Sequence, residues 1–239
     1  NTVEIASKIK NEYSIEAVAH LSCIDATPEQ LIRVLDSLKA NNIENVLALR
    51  GDYPRGYDPI KAPHYYKYAS ELNDFISKNY PDTFCLSGAC YPEVHQEAAS
   101  LEEDLIALKK KVDAGAEYLI TQIFFDNNYY YRLVREARIR GINVPIIAGI
   151  MPATNSKSLL NIAKLSGCNI PYNLSASIER FKSNPQAMKE VGMNYATNQI
   201  IDLITNGVDG IHLYTMNKPE TVHEILKRTS NILAEFKND

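Results

Sequence analysis

Val46-Leu-Ala-Leu-Arg-Gly-Asp52 is a run of four apolar residues that stops at a cation, a glycine and an anion. An unbroken apolar run reads as a strand buried on both faces, the pattern of a parallel sheet covered by helices; a half-exposed antiparallel strand would alternate. No packing requirement explains why Arg50, Gly51 and Asp52 follow such a strand. Ligands of parallel α/β folds bind at the carboxyl ends of the strands, so these three residues mark a candidate site.

The same unit recurs on both sides of this stretch. Upstream, residues 2–10 carry Val3, Ile5, Ala6 and Ile9 at helical spacing, and residues 15–24 read as a strand. Thr27 then supplies an N-cap, Pro28 the first helical position and Gln30 the capping-box partner of a helix that runs to about Asn41. Downstream, a Tyr-, Pro- and Gly-rich loop over 53–64 is too long for a plain connection, which marks it as functional or disordered. A helix over 65–79 follows, then a strand at 84–89, a helix at 100–114 closed by Gly115, a strand at 118–125 and a helix at 128–140 stopped by Gly141. A strand at 144–150 and a helix at 156–165 lead to an irregular stretch, two helices at 184–188 and 190–206, a strand at 210–214 and a helix at 219–236. Helix-length crossovers join the strands and no hairpin signal occurs, so the sheet is expected to be parallel.

A chain of 239 residues with 45% hydrophobic content fills one barrel-sized core or two small ones. The net charge of −4 is spread without long runs, which argues against nucleic acid or an anionic membrane as partner. No apolar run reaches the ~20 residues of a membrane span and the first residues lack a signal-peptide pattern, so a cytoplasmic protein is expected. Cys23, Cys85, Cys90 and Cys168 have neither zinc-ribbon spacing nor the look of a disulfide framework, and read as structural thiols.

Polar residues gather at every strand end: His20 with Asp25, Arg50 with Asp52, Tyr91 with Glu93 and His95, Gln122 with Asp126, Asn155, and Tyr214 with Asn217 and Lys218. One such residue is usually a structural hydrogen-bonding group; six clusters on one rim are harder to explain by packing, and they favour a barrel, whose strand ends all face one mouth. A doubly wound sheet is the alternative, but no Gly-rich nucleotide fingerprint follows any strand. His20, His95 and His212 lack the close spacing of metal ligands, so no metal is expected. Nucleophilic pairings are weaker still, since His20 and Cys23 fall on opposite faces of a regular strand, although Cys90 and His95 could meet in a loop. Lys109, Lys110 and Lys111, after Glu102, Glu103 and Asp104, read first as a solvated helix face and second as lysines reaching a diphosphate.

Seven motifs in this order resemble methylenetetrahydrofolate reductase: 19–28 (Ala-His-Leu-Ser-Cys-Ile-Asp-Ala-Thr-Pro), 48–52 (Ala-Leu-Arg-Gly-Asp), 91–95 (Tyr-Pro-Glu-Val-His), 108–116 (Leu-Lys-Lys-Lys-Val-Asp-Ala-Gly-Ala), Thr121-Gln122 with Phe124-Phe125-Asp126, 149–152 (Gly-Ile-Met-Pro) and 212–217 (His-Leu-Tyr-Thr-Met-Asn). The resemblance implies a noncovalent FAD at the mouth of a barrel, reduced by NADH or NADPH, and hydride transfer to 5,10-methylenetetrahydrofolate to give 5-methyltetrahydrofolate, the two substrates taking turns. It assigns FAD contacts to His20, Arg50, Gly51, Asp52, Tyr68, Ala69, Tyr91, His95, Asp104 and Lys111. Asp52 and Gln122 would be catalytic, Asp52 tuning the flavin and holding a cationic folate, Gln122 bonding the pterin. Gln122, Tyr214 and Lys218 would bind substrate, and a homo-oligomer is suggested.

Three residues depart from the family pattern. Lys218 stands where an Arg is common, and Ala107 and Ser158 replace larger polar residues. Family members also open with a strand bearing an acidic residue, then a helix and a second strand, which have no counterpart here. The expected fold is therefore one α/β domain over 1–239, a TIM-type (β/α)8 barrel without its first two β/α units. The acid that protonates the folate ring nitrogen is expected on that missing part of a longer protein. The alternatives are a non-catalytic remnant that binds flavin, folate or a protein partner, and a flavin barrel acting on another one-carbon or unsaturated substrate.

Overall fold

The structure, a computed structural model, describes residues 2–53 and 65–236; the 53–64 loop therefore lies outside the described residues beyond Tyr53. The elements are α1 (Thr2–Tyr13), β1 (Val18–Ser22), α2 (Pro28–Ala40), β2 (Asn45–Leu49), α3 (Ala69–Asn79), β3 (Cys85–Cys90), α4 (Leu101–Asp113), β4 (Ala116–Thr121), α5 (Asn127–Ile139), β5 (Ile146–Ile150), α6 (Ser156–Ser166), α7 (Tyr172–Phe181), α8 (Pro185–Thr205), β6 (Ile211–Leu213) and α9 (Pro219–Phe236). The strands lie in chain order, β1-β2-β3-β4-β5-β6. Parallel registers place Ser22 beside Leu49, Ala48 beside Gly88 and Ile150 beside Leu213. This is an α/β fold with six parallel strands. The order never reverses, which is barrel-type winding rather than the doubly wound pattern with its switch point.

The chain divides into two compact units, Asn1–Ala89 with Ile106–Leu119, and Cys90–Leu105 with Ile120–Asp239. In the first, Leu31, Leu35 and Leu38 of α2 pack with Ala19 and Leu21 of β1, Val46 and Ala48 of β2, and Leu72 and Ile76 of α3. The start of α2 follows its sequence signal: Thr27 Oγ1 accepts the Gln30 N–H at 3.3 Å and Gln30 Oε1 accepts the Thr27 N–H at 2.7 Å. In the second unit, Phe125, Met151, Leu159, Leu174, Ile178 and Met188 lie in one cluster.

Three elements differ from the sequence expectation. The irregular stretch after α6 contains a helix, α7, which buries Leu174 and Ile178, one turn apart on one face. The modest helix propensities of Asn173, Ser175 and Ser177 mask that short stripe, and tertiary burial overrides them. The two helices expected over 184–206 are one, α8, with Gly192 inside it. A Cβ at Gly192 would stand 2.3 Å from the carbonyl carbon and oxygen of Ala153, so the glycine serves close approach. Finally, the fourth strand ends at Thr121 instead of continuing to 125. Ile123, Phe124 and Phe125 remain buried but as coil. Side chains of α8 satisfy that coil, Gln199 donating to the Phe124 carbonyl at 3.2 Å and Tyr195 to that of Phe125 at 2.6 Å.

Candidate active site

In the first unit the site residues follow from how β1 and β2 end. The Arg50 carbonyl accepts the N–H groups of Cys23 at 3.2 Å and Ile24 at 2.9 Å, tying the two strand ends together. Gly51 follows with φ +86°, and a Cβ there would lie 2.8 Å from Ser22 Cβ. Only glycine satisfies both the dihedral and the contact. Asp52 is thereby turned out exposed, and the Arg50 guanidinium lies over the Tyr53 ring at 5.4 Å. His20 is exposed on β1 while Cys23 is buried, in line with their odd spacing. Burial pushes the Cys23 thiol up to about 11, which makes it a poor nucleophile.

Tyr68 is exposed just before α3, its N–H given to the Glu71 carboxylate at 3.0 Å, and Ala69 is buried as the first helical residue. Lys111 projects inward from α4: its Nζ donates to the Ala89 carbonyl at 2.6 Å, at the end of β3. Lys109 instead pairs with Asp113 one turn on, so the lysine run divides into a solvated residue and one aimed at a strand end. Together Arg50 and Lys111 provide cations and Tyr68 a phenol, a donor set suited to an anionic ligand with aromatic parts.

In the second unit, Tyr91 and His95 meet edge-on with ring centroids 4.5 Å apart, and the His95 N–H donates to Asp104 at 2.9 Å. His95 Nδ1 accepts the Glu97 N–H at 3.1 Å, so the neutral ring carries its proton on Nε2. Glu93 accepts the Asn169 N–H at 3.0 and 3.1 Å, and burial raises its carboxyl above the usual range. That clamp between distant loops has no local signal in the sequence.

Gln122 follows β4 directly. Its N–H donates to the Cys90 carbonyl at 2.8 Å and its side-chain Oε1 accepts the Ile123 N–H at 2.8 Å, which leaves the amide NH2 without a partner among the described residues. The Tyr214 hydroxyl donates to the Thr121 carbonyl at 3.0 Å, and burial pushes its phenol up to about 12. Tyr214 and Lys218 also line a cavity of about 210 Å³ with Met151, Asn155, Ser158 and Thr221. The structure thus brings Tyr214 and Lys218 together, and adds Ser158. Met216 and Asn217, with φ +50° and +56°, form the left-handed turn that precedes Lys218.

Two polar strand-end residues are helix caps: Asp126 accepts the Asn128 N–H at 3.0 Å and Asn155 the Ser158 N–H at 2.9 Å. Sequence reasoning quoted Thr121 and Gly149 among the motifs but gave them no role, although a glycine inside a strand is a signal of close approach. A Cβ on Gly149 would meet the Thr121 carbonyl oxygen at 2.4 Å. Among the described residues no group of three or more His, Cys, Asp or Glu comes together as a metal site, and no helix is long and apolar enough to cross a membrane.

The family model described as methylenetetrahydrofolate reductase matches residues 1–230. The chain belongs to the methylenetetrahydrofolate reductase family. It is 38% identical to the 5,10-methylenetetrahydrofolate reductase of Escherichia coli over 224 residues, covering 94% of this chain and 73% of that protein. It is 37% identical to methylenetetrahydrofolate reductase (NADH) 1 of Arabidopsis thaliana, again over 94% of this chain but only 40% of the plant protein. Among solved structures, an uncharacterized protein from Clostridium thermocellum that binds two copies of 5-methyl-5,6,7,8-tetrahydrofolic acid is similar in fold, with a TM-score of 0.59, 14% identity, and coverage of 94% of this chain and 76% of that one.

Proposed function

We propose that this chain catalyses reduction of 5,10-methylenetetrahydrofolate to 5-methyltetrahydrofolate by NADH or NADPH, through a bound FAD. The observation that carries this reading is the family match over 1–230, which spans both groups of strand-end residues. The donor set fits FAD in its chemistry: Arg50 and Lys111 suit a diphosphate, while Gly51 presents bare backbone between Arg50 and Asp52. His20, Asp52, Tyr68, Ala69, Tyr91, His95 and Asp104 complete the proposed FAD contacts. When bound, the flavin supplies a reversible two-electron store that accepts hydride from the nicotinamide and passes it to the folate.

The residues of this chain bind and orient. Exposed Asp52 places a carboxylate at the end of β2, where its charge stabilises a cationic iminium form of the folate. The free amide NH2 of Gln122 donates to the pterin. Lys218 and the Tyr214 ring, both on the cavity, contact the remainder of the substrate, Lys218 as a point charge for a carboxylate.

An anaerobic visible spectrum of the purified protein tests the reading. Flavin absorbance that bleaches with NADH or NADPH and returns when methylenetetrahydrofolate is added is the expected result. A colourless protein, or one that bleaches and does not recover, would overturn it.

A further inference from the structure

We propose that Tyr214 is a positioning residue for Gln122, acting through the peptide unit that joins Thr121 to Gln122 while its ring forms a wall of the adjacent cavity. The inference rests on the assignment of Gln122 to substrate recognition and gives Tyr214 a role beyond substrate contact. Two hydrogen bonds hold that single peptide unit from opposite sides. Its carbonyl accepts the Tyr214 hydroxyl at 3.0 Å, and its N–H donates to the Cys90 carbonyl at 2.8 Å. A peptide unit is planar, so fixing both its oxygen and its nitrogen fixes its rotation about the chain, and with it the direction in which the Gln122 side chain leaves. The side chain is then closed back on the chain by the Ile123 N–H, bonded to Oε1 at 2.8 Å, and its NH2 group has no partner among the described residues.

Gly149 is what lets the phenol reach this carbonyl. Its N–H donates to Thr121 Oγ1 at 2.8 Å, and a Cβ on it would come within 2.4 Å of the Thr121 oxygen and 2.7 Å of Tyr214 Cε2. A side chain at 149 would therefore occupy the path between ring and carbonyl. The same ring lines the cavity that holds Lys218, so a ligand there meets the ring while the hydroxyl stays committed to Thr121. The raised phenol keeps its proton throughout the working pH range and remains a donor. One side chain thus links occupancy of the cavity to the aim of Gln122.

Tyr214→Phe removes one oxygen and keeps the cavity wall. Residue-resolved amide hydrogen exchange is expected to accelerate about tenfold at Gln122 with no change at Ala148 in β5. In steady-state folate reduction, kcat is expected to fall about tenfold at unchanged folate KM, whereas Tyr214→Leu, which also deletes the wall, raises KM as well. Added to Gln122→Ala, Tyr214→Phe is expected to cost nothing further. Unchanged exchange at Gln122 in the folded Tyr214→Phe chain, or losses that multiply in the double variant, would overturn the proposal. A wild-type chain without folate turnover refutes the functional reading instead, and the exchange rate at Gln122 then decides the clamp by itself.

Discussion

Asp52 and Gln122 carry the proposed chemistry for different local reasons. Asp52 is exposed because Gly51, at φ +86°, turns the chain out of β2; Gln122 has its Oε1 held by the Ile123 N–H and its NH2 without a partner among the described residues. Asp52→Asn removes the charge without changing shape, and Gln122→Glu replaces the donor by an acceptor. Both variants are expected to fold and to bleach with the nicotinamide, yet to reoxidise with folate about 10²-fold more slowly in stopped-flow absorbance. Unchanged reoxidation in both would remove these residues from the site. Arg50, Gly51 and Asp52 were legible from sequence because they interrupt a buried strand for no packing reason. Thr121 and Gly149 stand among the motifs, but their role was not legible, because it is a contact between two strands.

At the scale of elements, helix α8 turns on a close contact at a glycine. Gly192 lowers helix propensity, but in the structure it is buried, and the helix runs from Pro185 to Thr205 without the break expected between 188 and 190. Gly192→Ala should gain up to about 1 kcal/mol of propensity. The new Cβ, however, would lie 2.3 Å from backbone atoms of Ala153, which cannot swing aside as a flexible side chain would. Overpacking wins, and a net loss of about 1–3 kcal/mol is expected in urea unfolding. A more stable variant would show that the helix and the loop after β5 separate easily. The capping box at Thr27 and Gln30 is the opposite case, since every interaction that starts α2 lies within four residues and can be read locally.

For the whole molecule, the loops after the strands are held by polar side chains from far along the chain, and one of these couples folding to pH. Glu93 is bonded to Asn169, and burial raises its carboxyl above the ordinary 4.5. The folded chain therefore holds this proton more tightly than the unfolded chain does. Its contribution is fully present below the unfolded value and is lost as pH rises through the folded one. Relative to Glu93→Gln, which does not titrate, wild-type stability is expected to fall as pH rises through and above the ordinary carboxylate range in paired urea titrations. A difference that stays constant, or grows with pH, would show that the hydrogen bonds from Asn169 outweigh burial.

The sequence by itself determined the winding of the chain and the ends of its strands, because unbroken apolar runs, caps and helix-length crossovers are local and each element carries its own signal. It also placed Arg50 and Asp52 just past the end of the second strand. Only the tertiary structure decided that the fourth strand stops at Thr121, that α7 and an unbroken α8 form, and that the Tyr214 hydroxyl serves a backbone carbonyl. Those outcomes depend on partners far apart in the chain, 70 positions from Tyr195 to the Phe125 carbonyl and 93 from Tyr214 to that of Thr121, whose burial and hydrogen bonds outweigh the local preference of the residues themselves.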